Sequence, residues 1–213
     1  MLRFLTHRTI DLPDFPARPE RTRVVNETLK IGKNHRLRPD VELVAGIGLL
    51  RGRNAPKPVI EVADEGVTIG REDYPIHIRG GGGVCVSHHG ACLSLVLHST
   101  DDAKPGIYIP GPSQCGREIN GITVQDSHFH DQGILIHGGI GHNIKRCVSY
   151  GPSPLLTVTT PLLSTIAAHV DMSRSANHLI VASGEKVGVS YCNCFSGHRK
   201  MLKFSNGATP INL

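Results

Sequence analysis

Short runs of alternating apolar and polar residues recur along the chain, and their alternation has the period of a β-strand. Ile122 and Val124 fall on one side of such a run, and Ile134 and Ile136 repeat the arrangement. Alternation over so few residues predicts strands with one buried face. No amphipathic stretch of helical length stands out, so the pattern indicates an all-β protein.

Two interleaved series of these runs share a repeat length of about 22 residues. One series begins at Gly133, Leu155, His178 and Met201, and the other at Gly121, His142, Thr165 and Lys186. Strands this short cannot form a stable sheet alone, but stacked coils pair each strand in parallel with its equivalent about 4.8 Å away. A βαβ sheet would need a crossover helix in every unit. The repeat therefore predicts a single right-handed parallel β-helix of about seven coils.

The same pattern continues upstream with less regularity. Further strands are expected at 41–46, 59–62, 66–69, 76–78, 83–86, 92–97 and 106–109. The polar stretches 98–105 and 110–118 are expected to be longer turns, where solenoids usually carry function. We expect the β-helix to span 28–213 and residues 1–27 to form an extended N-terminal arm.

Residues 121–151, GITVQDSHFHDQGILIHGGIGHNIKRCVSYG, resemble coils of the pectate-lyase-like β-helix superfamily. The opening of the predicted β-helix, around residues 28–46 and 66–70, resembles it as well. The resemblance covers about 28–213 and implies the fold. Members of the superfamily include polysaccharide lyases, hydrolases and epimerases, and also phage tail spikes and capsid-decorating proteins. The fold alone does not choose between these functions.

An enzyme of this kind would draw on Asp126, His128, His130 and Arg146. A histidine would act as general base, Arg146 would neutralise a substrate carboxylate, and Asp126 would orient either. The three residues of the strand share a face only if it runs straight, and a bend is expected near Ser127. No ladder of carboxylates stacks on Asp126, whose expected neighbours are Arg146 and Tyr191, and the chain has no Trp to stack a sugar. Catalysis, as a polysaccharide lyase or glycoside hydrolase, is the alternative.

Cysteines and histidines invite a metal or redox function, but their spacing does not favour one. Ser127, Cys147 and Cys192 are expected to align at a bend of successive coils, and the six cysteines to be buried free thiols. The pairs His88–His89 and His128–His130 are read as surface residues. We therefore expect no metal and no cofactor.

The formal net charge is +5, and residues 1–40 carry nine basic side chains against five acidic ones. A basic arm on a nearly neutral body suggests contact with an acidic surface. The arm must be held by its own chain, by another subunit or by a neighbouring protein. Its expected apolar anchors are Leu2, Phe4, Leu5, Ile10, Leu12 and Phe15.

An extended arm, and a last strand with no capping helix after it, favour a structural or binding subunit. The expectation is a homo-oligomer, preferably a trimer, in a phage virion as a capsid-decoration or tail-associated protein. Contact with polysaccharide stays open. No aromatic-interleaved basic stripe suggests nucleic acid, and no apolar run suggests a membrane span or a signal peptide. Outside a virion, the expected location is the cytoplasm.

Overall fold

The computed structural model describes residues 11–50, 57–99, 105–160, 165–198 and 200–211. Most of its elements are strands of two to seven residues. In chain order they are β1 (Arg21–Val25), β2 (Leu29–Ile31), β3 (Val41–Ala45), α1 (Ile47–Leu50), β4 (Ile60–Val62), β5 (Thr68–Ile69), β6 (Ile76–Arg79), β7 (Val84–Val86), β8 (Cys92–Leu93), β9 (Leu95–Ser99), β10 (Ile107–Ile109), α2 (Pro112–Cys115), β11 (Thr123–Gln125), β12 (His128–Phe129), β13 (Ile134–Ile136), β14 (Gly139–Lys145), β15 (Val148–Ser149), β16 (Leu156–Thr159), β17 (Ile166–Asp171), β18 (Arg174–Ser175), β19 (Ile180–Ser183), β20 (Val187–Cys192), β21 (Phe195–Ser196), β22 (Leu202–Ser205) and β23 (Thr209–Pro210).

The strands form three parallel sheets that wrap around one axis. Sheet A has the order β1-β3-β6-β9-β12-β15-β18-β21, sheet B the order β2-β4-β7-β10-β13-β16-β19-β22, and sheet C the order β5-β8-β11-β14-β17-β20-β23. A typical coil gives one strand to each sheet in turn. The result is a parallel β-helix of about eight turns, which confirms the all-β fold class and is close to the seven coils expected. Its first strand begins at Arg21, earlier than residue 28.

The core lies inside the coils and is built from stacked aliphatic columns. One column runs through Ile134, Leu156, Ile180 and Leu202, which are paired in register between successive strands of sheet B. Residues predicted to face inward, Ile122, Val124, Ile134 and Ile136, are all buried. Each such side chain contributes about 1.5–3 kcal/mol of hydrophobic stabilisation when fully buried. The predicted direction of these side chains is confirmed.

A left-handed residue turns the chain between sheet C and sheet A in each regular coil. The residues with φ between 46° and 50° are Asp126, Arg146, Met172 and Asn193. The hydroxyl or thiol that follows donates to the carbonyl two residues before it; these side chains are Ser127, Cys147, Ser173 and Cys194. A small polar side chain thus replaces a backbone partner at the bend.

The expected alignment at this bend was wrong in one coil. Cys194, not Cys192, follows Ser127 and Cys147 in the column, because Cys192 is the last residue of β20 and pairs with Asp171. Tyr191 is likewise paired with Val170 and does not stack on Asp126. All six cysteines are free, but only Cys147 is buried and Cys192 is exposed. The expectation that they are all buried was therefore wrong.

Candidate functional site

The outward face of sheet A carries a column of side chains that includes both histidine and aliphatic residues. His77, Val96 and His128 are neighbours in successive coils, and the column continues through Val148 and Arg174. Val96 and Val148 point away from the core and yet are buried. A second layer must therefore cover this face.

That layer includes residues 11–20, which lie along sheet A from the later coils towards the first. Arg174 Nη1 donates to the carbonyl of Asp11 at 2.6 Å, and the Tyr150 hydroxyl donates to the carbonyl of Asp14 at 3.4 Å. At the other end Arg18 Nε lies 3.8 Å from Glu42 Oε1. The described part of the arm is therefore held by its own chain, one of the three possibilities open from the sequence.

Phe15 is the main anchor of this layer. Its ring meets four others edge-on, with centroid distances of 5.2 Å to His98, 6.3 Å to His128, 5.6 Å to His130 and 5.0 Å to Tyr150. Edge-to-face geometry at these distances is favourable for aromatic rings. Of the other predicted anchors, Leu12 is half-buried, and Leu2, Phe4, Leu5 and Ile10 lie outside the described residues.

Beneath Phe15, two histidines share one hydrogen bond in a buried position. His77 Nδ1 lies 2.9 Å from His98 Nε2, and the stacked rings are only 8% and 3% exposed. Burial lowers the pKa of His98 to about 4, and the positive charges of Arg18 and Arg79 act in the same direction. Burial also lowers the pKa of His77, although Glu42 opposes this. Both rings are therefore neutral at pH 7, one donating and the other accepting.

Next to this pair, a buried carboxylate lies between two guanidinium groups. The Glu42 side chain is 1% exposed, with Arg79 Nη2 at 3.2 Å from Oε2 and Arg18 on the other oxygen. A carboxylate without nearby cations would not tolerate such burial. Glu42, in β3, therefore ties the second turn of the β-helix to the arm.

The structure separates the four residues predicted for catalysis into two groups. At the bend, Arg146 binds Asp126 through two hydrogen bonds of 2.5 and 2.8 Å and lies 3.6 Å from Glu72. On sheet A, His128 Nδ1 lies 2.9 Å from the Tyr150 hydroxyl, and burial lowers its pKa.

His130 completes the second group and is bound to Asp131, Nδ1 to Oδ1, at 2.8 Å. The bend expected near Ser127 is present, so Asp126 does not share a face with His128 and His130. Sequence reasoning missed His77, His98, Tyr150 and Glu42 as members of this face. The 21-residue spacing of His77 and His98, one coil, was the available signal.

A cavity of about 470 Å³ lies at the first turn, beside the end of sheet C rather than beside these histidines. Its lining includes Lys33, Arg36 and Arg71. Within the described ranges, no group of three or more His, Cys, Asp or Glu side chains is arranged to hold a metal ion. No described helix is long and apolar enough to cross a bilayer.

Comparisons with protein-family models, curated proteins and solved structures give no match to this chain. The parallel β-helix is therefore shown by the coordinates alone. Membership of the pectate-lyase-like superfamily stays a hypothesis.

Proposed function

We propose that this protein is a non-catalytic structural or binding subunit of a larger assembly and acts as a homo-oligomer. The observation that carries the proposal is the covering of sheet A by residues 11–20. These residues lie over His128, one of the two histidines that a β-helix enzyme would need to expose, whereas the side chain of the other, His130, touches Phe15 but is still 56% exposed. A face used in this way is a surface for protein contact rather than a substrate cleft.

The hydrogen bonding of the predicted catalytic residues supports the same conclusion. A general base must reach the proton that it removes. The Asp126 carboxylate is occupied by Arg146, and His128 is bonded to Tyr150 beneath Phe15. Catalysis by His128 would require the arm to leave, and catalysis by Asp126 would require its pair with Arg146 to open.

The contacts of the arm favour assembly, because the arm of one chain can make the same contacts with sheet A of a second copy. The described contacts of the arm include two hydrogen bonds through its own carbonyls, four ring contacts of Phe15 and one ion pair. Exchange of such an element between identical chains preserves every contact and is a common route to oligomers. Near the start of the described arm, Met172 and Phe195 are 53% and 57% exposed, and apolar side chains of this kind suit contact with a neighbour.

The specific form of the proposal is a homotrimer that decorates a phage capsid or belongs to a phage tail. The resemblance of residues 121–151 to superfamily members that include such proteins supports this form, as does the exchangeable arm. Light scattering after size exclusion tests the oligomer. Three chains of 23.0 kDa give about 69 kDa. A mass of one chain at micromolar concentration would contradict the proposal.

A cleavage assay on acidic polysaccharides tests the enzymatic alternative. The wild type and Phe15→Ala, in which the arm loses its main anchor, are assayed together. The proposal expects no cleavage by either protein. Cleavage that His128→Ala or His130→Ala abolishes would establish the alternative instead.

A further inference from the structure

The cavity at the first turn occupies the place of a missing strand. In sheets A and B the first turn pairs directly with the second, Arg21 with Val41 and Leu29 with Ile60. Sheet C has no strand in the first turn, and β5 is its end strand. Residues 32–40 pass this position without a described strand, and the cavity of about 470 Å³ lies between them and β5.

The backbone of β5 has hydrogen-bonding groups directed at this space. The carbonyls of Val67 and Ile69 accept from the amides of Cys92 and Ser94 in the next coil, at 2.9 and 2.8 Å. Alternate residues of a parallel strand bond to opposite sides. Thr68, between them, therefore turns its N–H and its carbonyl towards the cavity. These groups are an edge that another strand can pair with.

The positive charge of the cavity lining favours an acidic partner. Lys33, Arg36 and Arg71 line the cavity, and no carboxylate is among its lining residues. These three cations have no ion-pair partner among the described residues, whereas the neighbouring Arg38 is bound to Asp40. Three unpaired cations at the edge of a cavity attract negatively charged groups.

Two further details of the cavity favour a negatively charged ligand. Glu72, in the turn after Arg71, lies 3.6 Å from Arg146 and is not part of the lining. His35 Nδ1 accepts from the amide of Gly32 at 3.1 Å, so in the neutral ring its proton is on Nε2, which is a donor.

The floor of the cavity is apolar. Ile31, Ile69 and Ile76 are buried residues of the first turns, and Leu37 is half-buried. A strand presents successive side chains to opposite faces. A strand placed here would therefore direct every second side chain at these aliphatic groups and the others outward.

We infer that the cavity binds an extended acidic peptide segment, which adds to sheet C as the strand missing from the first turn. Its backbone pairs with Thr68, acidic side chains reach Lys33, Arg36 and Arg71, and apolar side chains at the alternate positions cover Ile31 and Ile69. Binding by strand addition draws affinity from main-chain hydrogen bonds and specificity from alternate side chains. The extended edge is short, because β5 lies between Gly66 and Gly70, which both have positive φ, so residues 67–69 offer an edge of about 10 Å.

The direct test is fluorescence anisotropy with the labelled hexapeptide Glu-Val-Glu-Val-Glu-Val in 150 mM salt. The full chain is expected to bind it, and Arg71→Glu is expected to weaken binding at least tenfold. Arg38→Glu makes the same change of charge outside the lining and is expected to stay within twofold of the wild type. If the two variants lose the same affinity for the peptide, the effect is one of overall charge and the inference is overturned. Failure of the wild type to bind the peptide would overturn it as well.

A second pair of variants separates a strand from any other anion. Thr68→Pro removes the amide directed at the cavity without removing a bond to β8, and Thr68→Val keeps it. The inference expects about a tenfold weaker complex for Thr68→Pro alone, with circular dichroism unchanged. Two results together would contradict strand addition and show a simple anion site. Inorganic phosphate or polygalacturonate would displace the peptide, and the peptide would bind Thr68→Pro and Thr68→Val with the same affinity.

Discussion

The buried histidine pair makes the stability of the protein depend on pH in a defined direction. His98 has a pKa of about 4 in the folded chain, against an ordinary value of 6.5. Between these values the unfolded chain binds a proton that the folded chain does not. Stability is therefore fully present above about pH 6.5 and is lost as the pH falls towards 4.

The size of the effect follows from the two pKa values. At pH 5 an unfolded histidine is almost fully protonated and His98 is almost fully neutral, which corresponds to a loss of about 2 kcal/mol relative to pH 8. His77 acts in the same direction, because its pKa is also lowered by burial. A loss of this size is a large fraction of the stability of an ordinary domain.

Urea unfolding followed by circular dichroism, at pH 8 and at pH 5, measures this loss. The variant His98→Gln keeps a polar partner for His77 but does not titrate, so its pH dependence is expected to be smaller by about 2 kcal/mol. His169→Gln, on sheet C, is measured beside it as the control for the loss of a histidine outside the buried pair. If His98→Gln and the wild type lose the same free energy on acidification, the buried pair is not the cause.

Three further changes probe other parts of the molecule. Met172→Asn replaces a residue at φ 46° by the type that the next coil has there, Asn193 at φ 50°, and is expected to raise the free energy of unfolding in urea by about 0.5–1 kcal/mol; an unchanged value would show that the left-handed bend carries no strain. Ile136→Ala truncates a fully buried side chain and is expected to lower the same free energy by about 3 kcal/mol, so a loss below about 1 kcal/mol would contradict the packed core. Phe15→Ala uncovers the face beneath the arm, and modification of His128 by diethyl pyrocarbonate, followed by mass spectrometry, is expected to become several-fold faster; equal rates would mean that Phe15 does not shield that ring.

The fold was predictable because its determinants are local and repeated. Alternation at Ile134 and Ile136 shows which side chains point inward, and recurrence about 22 residues later shows that strands stack. The alignment of Cys192 failed because coils differ in length. Cys147 and Ser173, which occupy the same bend, are 26 residues apart, whereas Asp126 and Arg146 are 20 apart. A repeat of constant length cannot predict which residues align when the length of a coil changes.

The site was harder to predict because it depends on contacts between distant segments. The arm joins Asp14 to Tyr150, 136 residues later, and no periodicity links them. The density of histidine and acidic residues at 126–131 drew attention to the correct part of sheet A but not to its role. The cavity was missed because it results from a strand that the first turn lacks, and the pattern of apolar residues shows only the strands that are present.

The direction of the arm has a consequence for the order of folding during synthesis. Residues 11–20 leave the ribosome before the coils on which they dock, since Asp11 contacts Arg174, which is 163 positions later. The coils can stack progressively as each one emerges, because each strand pairs with the one before it. The arm must wait until more than two thirds of the coils have been completed, and until then its docking face on sheet A is bare. A nascent chain paused before Arg174 should therefore be most prone to association with other chains, and mature copies least.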